Sequence, residues 1–168
     1  NQENMLETIK TIDTIITNKN LADTISDTII YNNNDYSVND TAINNYHVHL
    51  KIIPDGKLLP GILGIQNGDT LTYCYRNTKL IMKVQYKDSI VLSKIMSREC
   101  FNRDLHIPHE QFSKYRISKA NVMGVNGDTL NIETTLSIPD SDLFECFRLS
   151  INNKGTLSYN RVYIEYEE

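Results

Sequence analysis

Tyr46-His47-Val48-His49-Leu50-Lys51-Ile52 alternates apolar and polar side chains without a slip. Successive side chains of an extended chain point to opposite faces, so this stretch reads as a strand with Tyr46, Val48, Leu50 and Ile52 on one face and both histidines on the other. Outward from it, Pro54-Asp55-Gly56 has the chemistry of a turn, and Leu58 to Ile65 carries Pro60, Gly61 and Gly64, which suits a weak, edge or irregular element. The pentapeptide Asn-Gly-Asp-Thr-Leu then occurs at 67–71 and again at 126–130. Asn-Gly between apolar runs predicts a two-residue hairpin, because both central positions of a type I′ turn need positive φ. Residues around the two copies do not otherwise match, so shared turn chemistry explains the string better than duplication does.

Further strands are expected at Leu71 to Tyr75, Lys79 to Tyr86, Ser89 to Met96, Ala120 to Val125, Leu130 to Ile138, Phe144 to Ile151 and Thr156 to Tyr166. Asn152-Asn153-Lys154-Gly155 joins the last two, with Gly155 at a left-handed position. Within this region Pro108 to Tyr115 reads as a short helix, with Pro108 at its start and Glu110 in its first turn. Many short strands joined by hairpins predict a mainly β protein, an antiparallel β-sandwich or open barrel with one short helix and a polar N-terminal segment. We divide the chain into residues 1–40, a polar N-terminal spacer with a short helix or strand, and residues 41–168, an antiparallel β domain. In the spacer Met5, Leu6, Ile9, Ile12 and Ile16 keep helical spacing, while the β-branched residues between Thr8 and Thr17 favour an extended chain.

Composition sets further bounds. A chain of 168 residues is long enough to bury a core without staples. The net charge of -4 and pI near 5.6 argue against a nucleic-acid partner, since phosphate binding needs clustered Lys and Arg, and Lys114, Arg116 and Lys119 make only a thin, interrupted group. No run of about 18 apolar residues reads as a membrane helix. Cys74, Cys100 and Cys146 show neither CxxC nor metal spacing. Three buried thiols is the preferred reading, with one disulfide plus a free thiol as the alternative.

Chemistry is sparse. His47 and His49 place two imidazoles on one strand face, roughly 7 Å apart, a start for a metal site. His106 and His109 flank Pro108, with Asp104 and Glu110 near; if the two pairs met, a divalent-metal or hydrolytic site would follow. No HExxH, GxSxG or phosphate loop is present, so no catalytic residue and no cofactor is assigned. Asp140, Asp142 and Glu145 read as a turn rather than a calcium loop. Ten tyrosines and no Trp direct attention to Tyr73, Tyr75, Tyr86, Tyr159, Tyr163 and Tyr166 as contact surface for glycan or protein, or as side chains that tile a sheet.

Asp followed by Ser or Thr and then a small or aliphatic residue occurs seven times, placing Thr14, Thr24, Thr28, Thr41, Thr70, Ser89 and Thr129 at the centre of the triplet. The pattern resembles the O-glycosylation acceptor of exported proteins in Bacteroides-type bacteria; turns that open strands would also generate it. The order of Pro54-Asp55-Gly56, Lys87-Asp88-Ser89-Ile90, the Phe101 to Tyr115 connection, Pro139-Asp140-Ser141-Asp142 and Ser150-Ile151-Asn152-Asn153-Lys154-Gly155 resembles the uncharacterised small envelope lipoproteins of those bacteria, over about residues 20–168. That resemblance implies a periplasmic or surface location after export, a lipid anchor outside this chain as its link to the membrane, and an envelope protein or glycan as partner. It implies no reaction. The start at Asn1, without an apolar signal core, fits removal of a leader, with or without a lipidated Cys. The expected function is a non-enzymatic, envelope-tethered β domain that binds or supports another surface component. The alternative is a small envelope hydrolase or metal-binding protein using His47 and His49 with His106 and His109.

Overall fold

The computed structural model describes residues 27–31 and 37–163. The Met5 to Ile16 segment, Thr14, Thr24 and Tyr166 lie outside the described residues. The fold is two β-sheets packed face to face, one of six strands and one of four. Among the described strands the four-stranded sheet ends at both sides without closing on the first sheet, so the architecture is a sandwich and not a closed barrel.

The first sheet is organised by β3 (Tyr46–Leu58), whose Tyr46, Val48, Leu50 and Ile52 are buried as their alternation predicts. It pairs antiparallel with β2 (Ser37–Ile43) on one side and with β5 (Asp69–Tyr86) on the other. The expected spacer boundary near residue 40 therefore falls inside a strand: Ser37 to Ile43 are paired with β3 residue for residue. β1 (Asp27–Tyr31) also joins the sheet, running parallel to the first half of β5, the one parallel pairing among the described strands. β4 (Ile62–Gln66) is an edge strand on the other side of that half, as its glycines foretold.

Two expected breaks are absent. Leu71 to Tyr75 and Lys79 to Tyr86 are one strand of 18 residues, because Asn77 and Thr78 between them bond to distant parts of the chain rather than forming a turn, with Asn77 Oδ1 left buried without a partner among the described residues. Asn77 Nδ2 donates to Asp55 Oδ2 at 2.6 Å, and the buried Thr78 hydroxyl donates to the Ile117 carbonyl. Pro54-Asp55-Gly56 does not reverse the chain. It forms an irregularity within β3, where the register slips between Pro54 opposite Thr78 and Leu58 opposite Arg76. Asp55 accepts there from the Lys57 amide, so its turn chemistry is used locally without ending the strand.

The chain leaves the first sheet through β6 (Ser89–Ser97), a 3-10 helix (Arg98–Asp104) and α1 (His109–Phe112). The helix expected over Pro108 to Tyr115 is reduced to that single turn. Arg98 Nη1 donates to the carbonyls of Ser113 and Tyr115, tying the chain that follows this turn back to the start of the 3-10 helix. The same connection drives Phe101, Leu105, Phe112 and Tyr115 into the core, where the Phe101 ring lies 4.7 Å from Phe147 and 5.5 Å from Tyr159.

The second sheet has the order β10 (Leu157–Val162), β9 (Phe144–Asn152), β8 (Thr129–Ser137), β7 (Arg116–Asn126). β8 buries Leu130, Ile132, Thr134 and Leu136 in strict alternation. β7 starts four residues earlier than Ala120 because two bulges, after Ile117 and after Val122, turn the uneven series Ile117, Ala120, Val122 and Val125 to the core.

Both copies of the pentapeptide close hairpins, but in different frames. In the first, Gln66 pairs with Asp69, and Asn67 and Gly68 both have positive φ, as a type I′ turn requires. In the second, Asn126 is itself paired, opposite Thr129, and the turn is Gly127-Asp128 with positive φ at Gly127 alone, the sign pattern of type II′. The expectation of a second Asn-Gly turn is thus corrected by one residue. A tertiary contact accounts for the frame: the buried Tyr46 hydroxyl donates to the Asp128 carbonyl at 2.6 Å, across the sandwich. Gly155 supplies the expected left-handed residue of the β9–β10 loop at φ +81, and a Cβ there would lie 1.9 Å from the Val91 carbonyl oxygen. This loop is therefore seated directly on β6.

Candidate functional site

His47 and His49 project from the outer face of β3, as expected. The two-residue turn at Asn44-Asn45 fixes the register of β2 on β3 and brings Asp40 opposite His49. Asp40 contacts both imidazoles, Oδ1 lying 3.1 Å from His47 Nε2 and Oδ2 lying 3.5 Å from His49 Nδ1. With Lys83 and Gln85 of β5, these residues line an open depression of about 440 Å³. Asp40 stood in the sequence only as part of a triplet. The signal for its role was the Asn44-Asn45 turn, which places residues equally far on either side across from each other.

His106 and His109 are exposed in the connection before β7 and do not complete this cluster. Among the described residues no group of three or more His, Cys, Asp or Glu is placed to hold a metal ion. Each oxygen of Asp40 serves a different ring, so the three side chains do not present their donor atoms to one common point.

A second depression, of about 250 Å³, lies at the β9–β10 edge. Glu145 and Arg161 form its base through an ion pair of 2.7 Å, both side chains largely buried. Leu143, Phe144 and Tyr163 surround it, exposed to 51, 40 and 74%. Glu145 and Arg161 also act on Tyr115, whose hydroxyl pKa burial raises, with Glu145 adding to the rise and Arg161 opposing it. Asp140 has positive φ and, with Ser141, forms the turn into β9; the Ser141 hydroxyl donates to the Ile138 carbonyl and accepts from the Leu143 amide.

The remaining candidates are mostly packed. Cys74, Cys100 and Cys146 are all free thiols, with Cys100 half-buried and the other two buried. Burial raises the pKa of Cys74 and of Cys146, which keeps both protonated and poorly nucleophilic. Glu99 is lowered: burial pushes it up, but hydrogen bonds from Ser97, its own amide and Arg98, with the guanidinium charge, outweigh that. Tyr75 is buried, the Tyr86 ring packs tilted against Tyr46 with centroids 4.9 Å apart, and Tyr159 donates its hydroxyl to the Cys100 carbonyl. Of the six tyrosines singled out, Tyr163 is the exposed one among the described residues, Tyr73 being half-buried.

The described triplets centred on Thr70, Ser89 and Thr129 sit where a two-residue turn opens a strand, the position Asp-Thr turn chemistry favours. Thr41 lies within β2 and donates to Asn39 Oδ1; Thr28 lies in β1. Ser89 is exposed, whereas Thr41, Thr70 and Thr129 are half-buried. No protein-family model matches the chain, and a search of curated proteins returns no match.

Proposed function

We propose that this chain is a non-enzymatic β domain of a bacterial cell envelope, and that it binds or supports another surface component through the β9–β10 edge. The observation that carries this reading is the grouping of exposed Leu143, Phe144 and Tyr163 over the Glu145–Arg161 pair. Aromatic side chains and Arg supply most of the energy of protein interfaces when they sit together in a concave patch. Among the described strands β10 is also the last in the order of its sheet, and an edge strand offers backbone donors and acceptors to a partner. The envelope address rests on the Asp-Ser/Thr triplets and on the resemblance to envelope lipoproteins. In this reading a lipid anchor outside the chain, followed by a glycosylated leading segment, tethers the domain to the membrane.

The test is a photo-crosslinker in place of Tyr163 in the full-length protein of the native host. We expect an adduct with a surface component that the Phe144→Asp variant no longer forms. Adducts unaffected by that change, or none, would count against the reading. Intact mass from the same preparation checks the address: excess mass on Thr or Ser of the triplets supports it, and a bare-chain mass removes its main support.

A second reading, a small hydrolase or metal-binding protein centred on His47 and His49, draws on Asp40 bridging both rings. A zinc titration that leaves the imidazole NMR signals of both residues unmoved would end it.

A further inference from the structure

We propose that the outer face of the first sheet is a docking surface for an anionic lipid bilayer. Register places Lys51 of β3 and Lys79 and Lys83 of β5 on this one face. None of the three stands opposite a carboxylate. Lys51 lies between Val38 and Ile81, Lys79 between Ile53 and Ser97, and Lys83 between His49 and Ser93. Of the acids near these lysines among the described residues, Asp40 is engaged by the two imidazoles and Asp55, two residues beyond Ile53, by Asn77 and the Lys57 amide. A chain of net charge -4 thus presents one face of opposite sign, complementary to an anionic partner.

The side chains between the lysines decide which anion. Ile95 and Val38 are exposed to 61 and 57% and share a cross-strand row with Lys51 and Ile81. Basic side chains interleaved with exposed aliphatic ones suit a lipid surface, where charge attracts the headgroups and apolar side chains enter the interface. Apart from His49, the residues facing the three lysines are aliphatic or small, and the tyrosines at the same alternation of β5, Tyr73 and Tyr75, lie further along the strand, half-buried and buried, so the lysine group lacks the exposed stacking surface that a glycan or single-stranded nucleic acid would use. Lysine is also depleted from protein–protein interfaces. This face belongs to the other sheet from the β9–β10 edge, and its test does not depend on the reading made there.

The experiment is co-sedimentation of the full chain at low salt with vesicles of phosphatidylcholine alone or with added phosphatidylglycerol. Binding is expected only with phosphatidylglycerol and should weaken as salt rises. At roughly five-fold per basic residue, the Lys51→Gln/Lys83→Gln double variant should bind about 25-fold more weakly. Ile95→Ser should weaken binding without changing its salt dependence. Lys119→Gln, on the outer face of the second sheet, should bind as wild type. The thermal unfolding midpoint of each variant distinguishes lost binding from lost fold. The proposal is overturned by equal binding to both vesicle types, by an unchanged double variant, or by a loss in Lys119→Gln as large as in Lys51→Gln. It is also overturned if the chain binds inorganic polyphosphate and leaves phosphatidylglycerol vesicles in solution.

Discussion

On the outer face of the second sheet Glu133 lies opposite Arg148, the Ser150 hydroxyl donates to Asn131 Oδ1 at 3.0 Å, and Thr135 meets the Cys146 sulfur at 3.8 Å. On the outer face of the first sheet Lys51 looks across at Val38 and Ile81, and Lys79 at Ile53 and Ser97. The inner faces of both sheets are mainly apolar, with Thr78 and Thr134 buried among the apolar side chains, and fill one core. Among the described residues, then, the outer face of the second sheet is largely matched within itself, Lys119 on its edge strand apart, while the first groups three lysines with no carboxylate directly opposite. Since both are equally well supported from beneath, the difference speaks to what each face meets outside the molecule.

The largest effects should ignore this difference. Phe147 is fully buried between the sheets, so Phe147→Ala should cost about 3–5 kcal/mol, and urea unfolding followed by circular dichroism and by tyrosine fluorescence should stay coincident. Separate transitions for the two sheets would show that they are not held by one core. Next comes the seat of the β9–β10 loop on β6. Gly155→Ala should lose about 1–2 kcal/mol from its left-handed φ alone and more from the contact with the Val91 carbonyl. Gly68→Ala, at φ +90 with nothing within 4 Å of the new Cβ, should show only the backbone part. Equal losses in urea midpoint would mean that the Val91 contact contributes nothing.

The two pentapeptides give a smaller, directional test. Asn67→Ala should cost about 1 kcal/mol because Asn67 occupies a left-handed turn position, while Asn126→Ala, in a paired strand residue, should stay within about 0.5 kcal/mol. Reversal of that order would place the second turn in the first frame. Smallest are the outer faces themselves. Glu133→Gln should cost a few tenths to about 1 kcal/mol through its cross-strand pair with Arg148, and Lys51→Gln should leave the melting midpoint nearly unchanged. A larger loss for Lys51→Gln would reveal an internal partner and erase the contrast.

Much of the fold was legible because it is local. The Tyr46 to Ile52 alternation, the Asn67-Gly68 turn and the left-handed Gly155 need only strand period and glycine sterics. What misled was polarity satisfied from far along the chain. Asn77 and Thr78 looked like a break because their partners, Asp55 and Ile117, lie 22 and 39 residues away. The candidate sites were less legible for the same reason. The two histidines could be placed on a face, but Asp40 joins them only through register. The three lysines form a group only once β3 and β5 are paired. Conversely, His106 and His109 looked close to a second half-site in the sequence and are not brought to the first.

The Tyr159 hydroxyl, bonded to the Cys100 carbonyl with its ring against Phe101, has a consequence in time as well as space. A chain emerging from the ribosome or through an export channel delivers Phe101 well before it delivers Tyr159. Throughout that interval one side of the Phe101 ring lacks its wall, so an apolar aromatic waits open to whatever chaperone travels with the nascent protein. The β9–β10 hairpin acts in this sense as a latch. Until it has been delivered, the face of Phe101 that Tyr159 covers in the folded chain stays open.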